Sequence, residues 1–223
     1  MKMRLRLMSV SLLLGVLSIF ILSSCVDMPT KAVTPPTPYC YYRFLHAADG
    51  VGSVSVTLDD KPFGTLDFKG VTPYAEYIAG KKKLVFSTGD TLIMSMSTDY
   101  RGTMCIIKEG EALSFVRANE LRVFDPLTGE KGKLRFVHLS PDAPNVDIKA
   151  TGPEELQWSE LKYKGIGKYL AATPGQYAVT VTPVGGTTPA LTFDVTVGNE
   201  PSTVFIVGSV AGGTLSALAL KDN

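Results

Sequence analysis

Apolar side chains follow two different patterns along this chain. Leu7 to Leu22 is one long apolar run, interrupted only by Ser9, Ser11, Gly15 and Ser18. From residue 40 onwards the runs are short, and several alternate with polar positions: Val54 to Leu58, Tyr177 to Val181 and Leu191 to Val197 each repeat with period two. Such alternation predicts strands with one buried and one wet face. Gly, Pro, Asp and Asn punctuate the runs, and no long stretch has a helical period, so the mature chain is expected to be all-β with frequent turns.

The strand pattern occurs twice. Tyr42-Arg43-Phe44-Leu45-His46-Ala47 returns 92 positions later as Leu134-Arg135-Phe136-Val137-His138-Leu139, and Val54-Ser55-Val56 returns as Val146-Asp147-Ile148. At an offset of 95, Phe68-Lys69-Gly70-Val71 meets Tyr163-Lys164-Gly165-Ile166, and Tyr74 meets Tyr169. Thr103 to Ile107 pairs with Thr203 to Val207 at 100, and Leu113-Ser114 with Leu215-Ser216 at 102. Growing offsets place the insertions in loops, where they are tolerated. A single sheet of this size would leave its apolar face wet, so each copy is expected to close as two packed sheets, an immunoglobulin-like β-sandwich. The expected organisation is a signal segment over 1–24, a tether over 25–39, sandwiches over 40–121 and 133–223, and a linker over 122–132. With a full set of strands in each copy, the two cores are expected to be separate.

The N-terminal run has the parts of an export signal. Lys2, Arg4 and Arg6 precede the apolar segment, and Leu22-Ser23-Ser24-Cys25 ends it. Its 16 residues are short for a membrane span, which needs about 20. The ending resembles a bacterial lipobox, which implies cleavage before Cys25 and acylation of its sulfur and new amine. Val26, not Asp, follows the cysteine, so the common inner-membrane retention signal is missing, and the expected location is the outer membrane or cell surface. Pro29, Pro35, Pro36 and Pro38 make the following segment an extended spacer.

Arg135-Phe136-Val137-His138-Leu139-Ser140-Pro141-Asp142-Ala143-Pro144-Asn145-Val146-Asp147-Ile148 resembles the opening signature of the domain of unknown function 4397 family. In the first copy Ala47-Ala48-Asp49-Gly50 replaces Leu139-Ser140-Pro141-Asp142. The resemblance implies tandem β-sandwich units in the periplasm or on the cell surface, and no established activity.

Charge and chemistry narrow the function further. Taking away residues 1–25 removes three of the 22 basic residues and none of the 21 acidic ones, leaving 19 against 21. That balance gives no electrostatic reason to expect nucleic acid. No Gly-x-Ser-x-Gly elbow, zinc-type Cys/His cluster or phosphate loop is present; Lys164-Gly165-Ile166-Gly167-Lys168 lacks the spacing and reads as a turn. Asp142, Asn145 and Asp147 do not have the spacing of a calcium loop. Lys81-Lys82-Lys83 reads as the solvated start of a strand. No cofactor or metal is expected. The two histidines, His46 and His138, read either as metal ligands or general bases, or as structural residues whose rings bond the turn after a first strand; their repetition favours the structural role.

Cys40 and Cys105 are compatible with a disulfide in an oxidising compartment; alternatively Cys105 is a small buried residue matching Phe205, and Cys40 a free thiol. Trp158, opposite Phe63, reads as packing. Tyr39, Tyr41 and Tyr100 do not recur in the second copy and are the candidates for an exposed aromatic binding surface. The chain thus reads as a lipid-anchored, non-enzymatic envelope protein serving binding, adhesion or assembly, with an unknown protein or glycan as partner. The alternatives are an accessory glycan-binding lipoprotein and a hydrolase whose site the sequence hides.

Overall fold

The computed structural model describes residues 37–120 and 131–222. Cys25, the signal segment, most of the tether and residues 121–130 of the linker lie outside them. The first copy holds β1 (Tyr39–His46), β2 (Val54–Leu58), β3 (Lys61–Leu66), β4 (Ala75–Ile78), β5 (Gly80–Phe86), β6 (Thr91–Met96), β7 (Arg101–Glu109) and β8 (Ala112–Asn119). The second holds β9 (Gly132–His138), β10 (Val146–Thr151), β11 (Glu155–Leu161), β12 (Leu170–Ala172), β13 (Gly175–Pro183), β14 (Leu191–Val197), β15 (Pro201–Val207) and β16 (Ser216–Lys221). The all-β expectation and the two tandem sandwiches are both met.

Each copy forms two four-stranded sheets, in the orders β4-β1-β7-β8 and β3-β2-β5-β6 for the first, β12-β9-β15-β16 and β11-β10-β13-β14 for the second. At the centre of the β1 sheet, β1 and β7 run parallel, and β9 and β15 repeat this arrangement. Parallel strands are usually covered on both faces, and here they are: Tyr42 to His46 and all of β15 are buried. One face of β1 sends Cys40, Tyr42 and Phe44 into the first core with Val54, Val56, Leu84, Phe86 and Met94. In the second core, Leu134 and Phe136 of β9 meet Ile148, Trp158, Val179 and Val195.

The opposite faces of the two central sheets share a third apolar cluster. Leu45, Ala47, Cys105, Ile107, Val116 and Ala118 from the first copy pack with Val137, Leu139, Phe205 and Val207 from the second, and Leu218 and Leu220 lie against them. The expectation of two separate cores is therefore incomplete. Each sandwich has its own core, and the sandwiches are also joined by a buried face, so that from Pro38 onwards the chain is one compact unit.

Candidate functional site

The repeated histidines close repeated turns. His46 Nε2 lies 3.0 Å from the carbonyl of Gly52 and its Nδ1 accepts the amide of Ala48 at 3.2 Å. His138 Nε2 lies 3.2 Å from the carbonyl of Pro144, and its Nδ1 accepts the amide of Ser140 at 3.3 Å. This pattern fits a neutral ring protonated on Nε2, the tautomer being inferred from the partners. Burial holds the His138 imidazole below its usual range. With both ring nitrogens facing backbone, neither histidine is poised as a base or ligand. Among the described residues no group of three or more His, Cys, Asp or Glu is arranged to hold a metal ion.

Between the sandwiches lies a polar cluster that the sequence reading missed. Arg43 and Arg135 stand at matching positions in the two opening strands, on the face turned towards the other copy. Arg43 Nε donates to Thr103 Oγ1 at 2.8 Å and its Nη1 to the carbonyl of Lys221 at 2.6 Å. Arg135 Nε donates to Thr203 Oγ1 at 2.8 Å and its Nη1 to the carbonyl of Asn119 at 2.6 Å. The carboxylates occupy equivalent places: Glu120 accepts from Thr103 and Tyr74, and Asp222 from Thr203 and Tyr169. Arg43 Nη2 reaches Asp222 at 2.9 Å and Glu120 at 3.4 Å. Tyr74 and Tyr169 stack under the guanidinium groups, 4.6 Å below Arg43 and 4.2 Å below Arg135. Burial, then the Asp222 charge, pushes the Glu120 carboxyl up to about 7, against the lowering influence of Tyr74, Arg43 and Thr103. Burial raises the Asp222 carboxyl as well. The cluster is sealed within the interface, which makes it a device for registering the two copies and not a reaction centre.

The candidate aromatic residues lie at one end of the β1 sheet. The Tyr41 amide donates to the Tyr100 carbonyl, and the Asp99 amide to the Tyr39 carbonyl, at 2.9 and 3.0 Å. Tyr39 and Tyr41 point to the face turned towards the second copy, whereas Tyr100 packs against the first core. Register places Ile78 beside Tyr39, and Glu76 and Arg101 beside Tyr41. The Tyr41 hydroxyl donates to Glu76 at 2.8 Å, and the Arg101 guanidinium sits 5.7 Å from its ring centre. Tyr39 is 42 % and Ile78 is 54 % exposed. Along the β4 edge this patch adjoins an open cleft of about 370 Å³ lined by Pro62, Phe63, Tyr77, Ile78 and Lys82. At the matching places the second copy has Lys131, Lys133, Thr173 and Pro201, so the apolar and aromatic character belongs to the first copy alone.

A family model described as a domain of unknown function, DUF4397, matches residues 41–149 and again residues 132–223. The chain belongs to the DUF4397 family. No curated protein matches it. Among solved structures, the Bacillus anthracis TIE protein is similar at 14% identity and a TM-score of 0.27, over 77% of this chain and 34% of that one. This chain thus spans about a third of that protein's length. A candidate cell adhesion protein from Bacteroides eggerthii is similar at 11% identity and a TM-score of 0.24, over 84% of this chain and 96% of its own.

The remaining motifs of this DUF4397 chain have structural roles. Asp142 accepts from Ser209 Oγ at 2.7 Å and from the amides of Val210 and Ala211 at 2.9 Å, so its carboxylate caps the loop after β15. Those hydrogen bonds, the Ser209 hydroxyl foremost, hold it well below the usual carboxylate range. Asp147 caps the amide of Glu160 at 2.8 Å, at the bulge in β11. Lys82 pairs with Asp59 at 2.8 Å on the sheet surface. Trp158 packs edge-on to Phe136, and its indole N–H donates to the carbonyl of Lys168 at 2.8 Å. Gly167 is required there, because a Cβ would come within 2.9 Å of the Trp158 ring. Cys40 and Cys105 are both free. They sit on opposite faces of the β1 sheet, one in the first core and one between the copies, so no bond joins them.

Proposed function

We propose that this protein is a lipid-anchored, non-enzymatic binding module of the cell envelope, held through Cys25 and engaging a protein partner through the Tyr39, Tyr41, Ile78 and Arg101 patch of its first repeat. The observation that carries the reading is the patch itself. Tyrosine and arginine are enriched at protein interfaces, the exposed Ile78 adds apolar surface beside them, and the combination occurs in only one of two otherwise matching repeats. The adjacent cleft is large enough to receive a partner side chain. A buried interface fixes the second sandwich against the first, so the patch is presented on a rigid body, and a Pro-rich spacer gives that body reach from the membrane.

The test is binding of fluorescently labelled protein to intact cells, comparing the wild type with a Tyr39→Ala/Ile78→Ser double variant. The reading predicts at least a tenfold loss of binding in the variant, and equal loss when the cells are first treated with protease. Binding that survives protease but not periodate would identify a glycan instead. A variant that binds as well as the wild type would remove the patch from the function. For the anchor, Cys25→Ala is expected to abolish incorporation of labelled fatty acid.

A further inference from the structure

The buried face between the sandwiches has the composition of a homodimer interface written twice into one chain. Leu45 and Ala47 correspond to Val137 and Leu139 at an offset of 92, Cys105 and Ile107 to Phe205 and Val207 at 100, and Val116 and Ala118 to Leu218 and Leu220 at 102. Ten of the twelve are buried in the same packed cluster, and Leu218 and Leu220 lie against it. The polar contacts follow the same rule at the Nε and Nη1 atoms of the two arginines, although Arg43 Nη2 pairs with Asp222 and Glu120 while Arg135 Nη2 is buried without a partner. Each arginine binds the threonine of its own copy at 2.8 Å and a carbonyl of the other copy at 2.6 Å. Each repeat uses one set of positions to grip the same set on its neighbour, which defines an isologous contact.

The two faces are complementary in size as well. Where the first repeat has the small residues Ala47, Cys105 and Ala118, the second has the large residues Leu139, Phe205 and Leu220. Two first-repeat faces brought together would leave voids, and two second-repeat faces would be overpacked; both errors are costly in a close-packed interior. The pattern thus favours pairing of a first repeat with a second, and works against like pairs.

We infer that this face is a self-recognising surface whose cognate partner is the opposite repeat, of the same chain or of a second copy, so that two chains can exchange repeats into a closed dimer. The exchanged dimer makes the contacts of the monomer twice over. What separates the two states is the competition between closure within a chain and encounter between chains. For a short connection, such as that between β8, ending at Asn119, and β9, starting at Gly132, the effective concentration is on the order of millimolar. Exchange is therefore expected at comparable chain concentrations, and little of it far below them.

The inference is tested with the full chain in detergent, using a contact at the rim of the interface. Asp49 Oδ2 and Thr214 Oγ1 lie 2.8 Å apart, one from each repeat, and both residues are partly exposed. An Asp49→Cys/Thr214→Cys double variant is oxidised under native conditions, and the two single variants are mixed, unfolded in denaturant and refolded together at about 1 mM and at about 1 µM. The expected results are an intrachain disulfide in the double variant, and an interchain 49–214 disulfide in the mixture at about 1 mM that falls at least a hundredfold at about 1 µM. Failure of the double variant to close would contradict the docking geometry itself. No interchain 49–214 bond at the higher concentration would overturn exchange, and 49–49 and 214–214 bonds as abundant as 49–214 would overturn the preference for unlike repeats.

Discussion

Replacing His138 with alanine is expected to cost more than the loss of a side chain of its size on the surface, because the ring satisfies the enclosed backbone amide of Ser140. Ser140 and His138 are fully buried, and the ring bonds the Ser140 amide and the Pro144 carbonyl at 3.3 and 3.2 Å. Leaving the buried Ser140 amide unsatisfied costs ~1–3 kcal/mol, whereas the carbonyl of the exposed Pro144 can turn to water. The Ser140 bond is long, so we take the lower half of that range, and the lost edge contact with Tyr163 at 6.3 Å brings the total to about 2 kcal/mol. For a cooperative unit of this size, 1 kcal/mol moves the melting temperature by ~2–4 °C, so His138→Ala should melt roughly 4–8 °C below the wild type. The sign of the pH dependence follows from burial. A histidine held below its usual range contributes stability that is complete above about pH 6.5 and is lost as pH falls through the folded value. Removing the ring removes that loss, so the gap between wild type and variant should be widest at pH 7–8 and shrink towards pH 5. The assay is thermal unfolding by circular dichroism across that range. A shift below about 2 °C that does not vary with pH would refute the structural role of the ring.

Phe205→Ala empties the centre of the inter-repeat cluster and is expected to cost ~3–5 kcal/mol; calorimetry of the full chain should show the single transition broadening or splitting as the copies uncouple. Arg43→Met leaves Glu120 and Asp222 buried without their shared cation, at a cost of ~3–5 kcal/mol. Because both carboxyls are raised in the folded chain, their contribution is complete below the ordinary carboxylate range and is lost as pH rises through their folded values, about 7 for Glu120. The Arg43→Met deficit, measured by denaturant titration, should therefore be larger at pH 8 than at pH 5.

How much of this was legible in the sequence depended on how many faces of a strand meet water. β2, β13 and β14 each have one wet face, so their alternation is plain in the sequence. β1 and β15 are covered on both sides, and in Tyr42 to His46 the alternation disappears under continuous burial. The repeat revealed the paired histidines, because a ring that closes a turn must recur wherever the turn does. The shared face left a weaker trace: a charged residue, Arg43 or Arg135, in the middle of an otherwise apolar strand, twice. Its partners Glu120 and Asp222 lie 77 and 179 positions from Arg43, a separation no local pattern encodes. The patch was half legible. Tyr39 and Tyr41 stood out by failing to recur, whereas Ile78 and Arg101 join them only through the antiparallel β4 and parallel β7 registers.

The central claim, that a buried face locks the two sandwiches into one body, is tested most directly by the thiol of Cys105. It lies in the inter-repeat cluster and is fully buried, with burial raising its pKa, whereas Cys40 lies in the first core. Native-state alkylation followed by peptide mapping reports on both at once. If the copies are docked, Cys105 should react no faster than Cys40, and only on global unfolding. Rapid modification of Cys105 while Cys40 stays protected would mean that the sandwiches stand apart in solution, and would contradict the account.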